Sequence, residues 1–247
     1  MLQIQKTYES PGMAERRRRI LHEARRLINE GGLEGFSMRE LSKRANVAPK
    51  TLYNAFGDRD RLVGFAIREM YDALRQNVKF KTHDRTLPGL LDRAIVLNRG
   101  NLKARNYAKA VATIYFAPGT SPDLREILQE MAVGKTSEWL TDLRTKGQLH
   151  EWVDIEHLTR HMANMEYGLI LDWATGRVEH SEYLFRFAEI VLFSAIAATS
   201  GEVHEMAEAM MARMAETREL PAFDNPVIRN FARPHFSDGS SFDWESP

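Results

Sequence analysis

Apolar residues recur at intervals of three and four along most of this chain. That is the period of helices with one buried face, and no alternating run is long enough to compete as a strand. Over residues 13–30, Ile20, Leu21, Ala24, Leu27 and Ile28 share one stripe, and Gly31 and Gly32 end the helix. Ser37 and Glu40 then stand as S-x-x-E, a capping box that satisfies free N–H groups at a helix start. Met38, Leu41 and Ala45 form the inner face of that second helix, and Asn46 follows at a sharp turn, where Asn tolerates the left-handed conformation. Pro49 sits in the first turn of a third helix, where its missing N–H costs little, and Leu52 and Phe56 point inward. A fourth helix begins near Asp58 and carries Leu62, Phe65, Ala66, Met70 and Leu74 to about residue 80.

The polar stretch from Thr82 to Pro88 reads as a domain boundary. Beyond it the periodicity predicts helices at about 88–98, 102–116, 122–146, 154–175, 181–200 and 203–219, with breaks at Gly100, Pro118-Gly119, Gly147, Gly176 and Gly201. Residues 220–247 hold Pro221, Pro226, Pro234 and Pro247 and the polar run Ser237 to Ser241, the pattern of an irregular tail. Its aromatics, among them Phe231 and Trp244, suit partial docking on the body. The expected fold is all-α, with residues 1–60 an N-terminal arm and a three-helix helix-turn-helix domain, 61–80 a connecting helix, 81–219 a second helical domain and 220–247 the tail.

The third helix carries the most informative chemistry. With Leu52 and Phe56 turned inward, Lys50, Thr51, Tyr53 and Asn54 are left for the outside, and a short helix with such a face fits a DNA major groove. Lys50 and Asn54 are candidates for base edges. The Thr51 and Tyr53 hydroxyls suit phosphate oxygens, and the Thr51 methyl also suits thymine. Arg39, near the start of the second helix, suits a guanine edge or a phosphate. Arg59, at the start of the fourth, combines a cation with free backbone N–H groups aimed at a phosphate. The run Arg16 to Arg19 points in nearly all directions on a helix and so cannot form one stripe.

Residues 36–62 resemble the DNA-binding signature of the TetR (tetracycline-repressor-like) family of bacterial transcriptional regulators. The resemblance rests on Val47, Thr51, Leu52, Tyr53 and Phe56 in V-x-x-x-T-L-Y-x-x-F spacing, followed by Gly57, Asp58, Arg59 and Asp60, and it runs without a gap over roughly residues 13–65. Ala48 stands where the family often has serine, Ala55 where an aromatic or histidine is usual, and Arg59 where a lysine opens the fourth helix. The resemblance implies a palindromic operator on double-stranded DNA, a homodimer built from the last two main helices, and a small-molecule effector in the second domain.

Net charge is zero, which argues against a nucleic-acid binder until its distribution is seen. Residues 1–80 hold 16 Lys and Arg against 10 Asp and Glu, a net of +6 that residues 81–247 cancel. A basic head on an acidic body agrees with DNA binding by the head. The chain has no cysteine, which excludes disulfides, thiolate zinc sites and a cysteine nucleophile and is compatible with a reducing cytoplasm. The first residues lack the apolar run of a signal peptide, and Ile190 to Ala198 is too short to span a bilayer, so the expected location is cytoplasmic, away from membranes.

In the second domain, residues 181–200 are apolar around much of the helix and residues 154–175 carry a comparable stripe. Met165, Leu169, Trp173, Leu184, Val191, Leu192 and Ala195 are therefore the expected dimer interface. Tyr107, Tyr115, Phe116, Trp139, His161 and Met165 are candidates to line a largely apolar effector cavity. His157 and His161 are spaced as metal ligands on one helix, but two histidines alone are weak evidence, and neither a metal nor a cofactor is expected. The chain has no H-E-x-x-H, G-x-S-x-G or phosphate-cradling glycine loop, so no enzymatic activity is expected. A helical-bundle enzyme or metal protein with an incidental helix-turn-helix, and an architectural DNA binder without an effector, stay open as alternatives.

Overall fold

The computed structural model describes residues 11–77, 80 and 82–223; the N-terminal arm before residue 11 and the tail from 224 onward lie outside the described residues. Those described fold into α1 (Pro11–Gly31), α2 (Met38–Arg44), α3 (Pro49–Phe56), α4 (Arg59–Asn77), α5 (Leu87–Lys103), α6 (Arg105–Phe116), α7 (Pro122–Thr145), α8 (Ile155–Ala174), α9 (Tyr183–Ala198) and α10 (Glu202–Thr217), with no strand among them. The all-α expectation is met helix by helix. One break is not: α5 runs through Gly100, which is buried, to Lys103. A single glycine costs a helix only about 1 kcal/mol relative to alanine, less than the packing of that turn restores.

The described residues divide into two compact units, one of residues 11–77 and 104–128, the other of residues 80–103 and 129–223. In the first, α1 packs on α2, α4 and α6, α2 on α3, and α3 on α4. Ile20, Ala24 and Ile28 of α1 meet Leu41, Leu52, Phe56, Leu62 and Ala66 in a core that excludes water. Arg25 is buried beside them and paired with the Glu69 carboxylate, and the Tyr107 hydroxyl donates to the Ala66 carbonyl at 3.5 Å.

In the second unit α9 is the central helix, packed by α5, α8 and α10. This explains why it is apolar on several faces: Tyr183, Phe187, Ala188, Leu192 and Ala195 are all spent on neighbouring helices of the same chain. Its outer side carries Arg186, Phe193 and Ala197. Asp154 caps α8 by accepting from the His157 N–H at 3.0 Å, and α7 and α8 end in Gly147 and Gly176 with φ of 67° and 83°.

Candidate nucleic-acid interface

The exposed face of α3 is set by how tightly its two ends are held. Ser37 caps α2, its Oγ accepting from the Glu40 N–H at 3.1 Å. The Glu40 carboxylate takes the Arg44 guanidinium at 3.2 Å, and Arg44 also reaches Glu30 on α1 at 2.6 Å. Asn46 adopts φ 48°, the Asn46 N–H donates to the Lys43 carbonyl, and the Val47 N–H donates to the Ser42 carbonyl at 3.0 Å. These are the two bonds of a Schellman turn, so the chain reverses without stranded carbonyls and α3 starts at Pro49 in a fixed direction. At the far end Asp58 caps α4 by accepting from the Arg61 N–H at 2.8 Å.

With Leu52 and Phe56 in the core, Lys50, Tyr53 and Asn54 form one exposed stripe along α3, and Thr51 is half-buried at its edge. Tyr53 is 51% exposed, unusual for a large ring with no apolar neighbour to cover it. Arg39 is exposed in the first turn of α2. Lys50 and Arg39 have no carboxylate partner among the described residues, so their charges are available to a ligand.

The other cations of the head are used differently. Arg17 lies over both the Phe56 and Phe65 rings, 4.7 and 4.8 Å from their centroids, and Arg19 donates to the Ala45 carbonyl at 2.9 Å. Half of the basic run therefore secures the helix-turn-helix to α1. Arg59 is drawn inward as well, donating to the Leu33 carbonyl at 3.1 Å and lying near Asp60 and over Phe36. Two residues on, Arg61 is exposed beside Gly57 with no carboxylate partner among the described residues, as is Lys43 on α2. Sequence reasoning passed over both. The signal was spacing, since the first outward cation of α4 is set by the Asp58 cap.

The body residues sort just as clearly. Tyr107 and Tyr115 are buried in the first unit, and Trp139 is buried in the second. Phe116, His161 and Met165 are exposed on the single chain. Of the residues assigned to a dimer face, Trp173, Val191, Leu192, Leu169 and Ala195 are buried within one chain, Leu184 is half-buried, and only Met165 is open. His157 lies 3.8 Å from Asp154 at the α8 start, an exposed pair. Among the described residues no group of three metal-ligating side chains converges, and no helix is long and apolar enough to cross a membrane.

A helix-turn-helix that presents an unpaired polar and cationic helix face is a DNA-binding module. Residues 20–64 match the model of the bacterial regulatory proteins of the tetR family. By this domain the chain belongs to the tetR family and is a DNA-binding transcriptional regulator. The fold agrees. The tetR regulator TylP of Streptomyces fradiae superposes with a TM-score of 0.55 at 20% identity, covering 83% of this chain and 99% of that one. A TetR regulator from Rhodococcus sp. RHA1 gives 0.54 at 20% identity over 74% and 97%, and Salmonella enterica GusR gives 0.52 at 19% over 76% and 98%. A sequence comparison with curated proteins finds no match.

Proposed function

We propose that the protein is a cytoplasmic, homodimeric repressor that holds a palindromic operator and leaves it when a small molecule binds. The observation that carries this reading is the exposed stripe of Lys50, Tyr53 and Asn54 on a helix whose other side is locked into a core. Lys50, Asn54 and Arg39 read base edges, and Tyr53 and Thr51 hold phosphates. Arg61 takes the phosphate role first assigned to Arg59, because the Arg59 guanidinium is committed to Leu33 and Phe36. Residues 1–60 bind DNA, α4 connects, and residues 81–219 bind the effector and dimerise.

Two half-sites need two heads, which requires a second copy of the chain. The dimer face is the open side of α8 and α9, where Met165 and Phe193, 44% and 59% exposed, stand near the middle of each helix. Small residues at Gly168 and Ala197 let a partner helix approach there. Effector binding then selects a head spacing that cannot span both half-sites, a population shift that requires unequal affinity for the two states.

The test is sedimentation of the purified chain alone and with selected DNA, followed by anisotropy titrations. The expected outcome is a dimer that binds a two-half-site duplex far more tightly than a single half-site. Equal affinity for both duplexes, or a monomer at high micromolar concentration, would contradict the proposal.

A further inference from the structure

Glu166 interrupts the apolar face by which α8 enters its core. Met162 and Ala163 precede it and Ile170 and Trp173 follow it at helical spacing, all buried. Glu166 itself is only 7% exposed, and no described residue gives its carboxylate a hydrogen bond or an ion pair. Burial alone pushes its pKa up, to about 8. Glutamine would fill the same space without a charge to desolvate, so the carboxyl group weakens the core it sits in. An acid held in a core with no internal partner is suited to a partner that arrives from outside.

The surroundings define that partner's chemistry. Tyr183, at the start of α9, is near enough to feel the Glu166 charge. Its hydroxyl donates to Asn98 Oδ1 at 2.6 Å and accepts from Asn101 Nδ2 at 3.0 Å. Asn98 Nδ2 in turn donates to the Ala94 carbonyl at 3.0 Å. The donors of this network are spent on one another. Rings complete the surroundings: Trp173 lies 4.7 Å from Tyr183 between ring centroids, and Phe187 lies 6.4 Å from Tyr183. Aromatic faces and a carboxylate both attract positive charge, and both disfavour an anion.

We infer that the core of the second unit, where α5 and α8 pack on α9, binds an organic cation of the arylalkylammonium class, with the ammonium group on Glu166 and the ring against Trp173 and Tyr183. This inference rests on the effector reading above and names the effector's class.

The test is calorimetric titration of the full chain with tryptamine and with tryptophol, its neutral counterpart, repeated on Glu166→Gln. Wild-type protein is expected to bind tryptamine at least tenfold more tightly than tryptophol. Glu166→Gln should lose that preference while melting at or above the wild-type temperature, so the loss is not misfolding. No binding of tryptamine, equal binding of both compounds, or an unchanged preference in the variant would overturn the inference. Operator anisotropy run in parallel separates the two claims. Tryptamine that binds through Glu166 but leaves operator affinity unchanged upholds the site and contradicts effector release. A neutral indole that releases the operator while tryptamine does not bind upholds release and overturns the cation site.

Discussion

α3 and α8 are both amphipathic, and they keep their distinctive residues on opposite faces. On α3 the chemistry is outside: Lys50, Tyr53 and Asn54 are exposed, while Leu52 and Phe56 hold the helix in place. On α8 it is inside, because Glu166 lies among Met162, Ala163, Ile170 and Trp173 on the packed face. An outward group can be exchanged without unfolding the helix that carries it, so affinity and stability separate. An inward group is tied to the core, and any change there alters stability first. The head and the second unit should therefore respond to mutation in different ways.

The largest expected effect tests burial on α9. Val191→Asp places an unpartnered carboxylate in the core of the second unit and should cost about 3 kcal/mol or more, lowering the melting temperature or preventing folding. Phe193→Asp, two residues on, should leave the melting of the isolated chain near wild type and shift sedimentation from dimer to monomer. Near-wild-type melting for Val191→Asp, or an intact dimer for Phe193→Asp, would break the assignment of inner and outer faces.

Next comes the Glu166 carboxyl. Its folded pKa, about 8, lies above the ordinary 4.5, so the folded state binds the extra proton between those values. The stability associated with the neutral acid is complete below about pH 4.5 and is lost as pH rises through 8. This single group contributes a falling slope of up to about 1.4 kcal/mol per pH unit across that window. Denaturation of Glu166→Gln between pH 5 and 8 should lack that component, and identical pH profiles for the two proteins would show that burial does not perturb the group.

The head's effects are smaller and appear in binding. Lys50→Ala and Asn54→Ala should each relax base preference at one symmetric pair of positions by about 1–3 kcal/mol, with melting unchanged. Tyr53→Ala and Arg61→Ala should weaken binding to all sequences alike, and Arg61→Ala should reduce the salt slope by about one. Arg59→Ala sharpens the comparison within the head. Its guanidinium holds Leu33 and Phe36, so this variant should lose stability while keeping the wild-type salt slope. A reduced slope for Arg59→Ala and none for Arg61→Ala would restore the sequence-based choice.

How much was legible follows from the same contrast. The turn at Asn46, the caps at Ser37 and Asp58 and the inward pair Leu52 and Phe56 are local, and each could be read from a few neighbouring residues. Helix identity in the second unit was equally local. Which side of α9 faces out was not, because a helix packed by three others is apolar nearly all round and its pattern gives no direction. Val191, Leu192 and Ala195 were assigned to a partner for that reason, whereas the fold spends them at home and leaves Phe193. Glu166 was visible as a charge at an apolar position of the 162–173 stripe, but its significance depended on knowing that no cation faces it. Arg59 was likewise misdirected, since the pull of Leu33 and Phe36 comes from a distant part of the chain.

The most direct test of the central claim is selection of bound duplexes from random DNA by the wild-type protein and by Asn54→Ala, at one fixed salt concentration. Wild-type protein should enrich a two-fold-symmetric sequence, and Asn54→Ala should enrich the same sequence with preference lost at a single symmetric pair of positions. Enrichment of no sequence by the wild type, or the same profile for both proteins, would contradict the assignment of the exposed face of α3 as the surface that reads DNA.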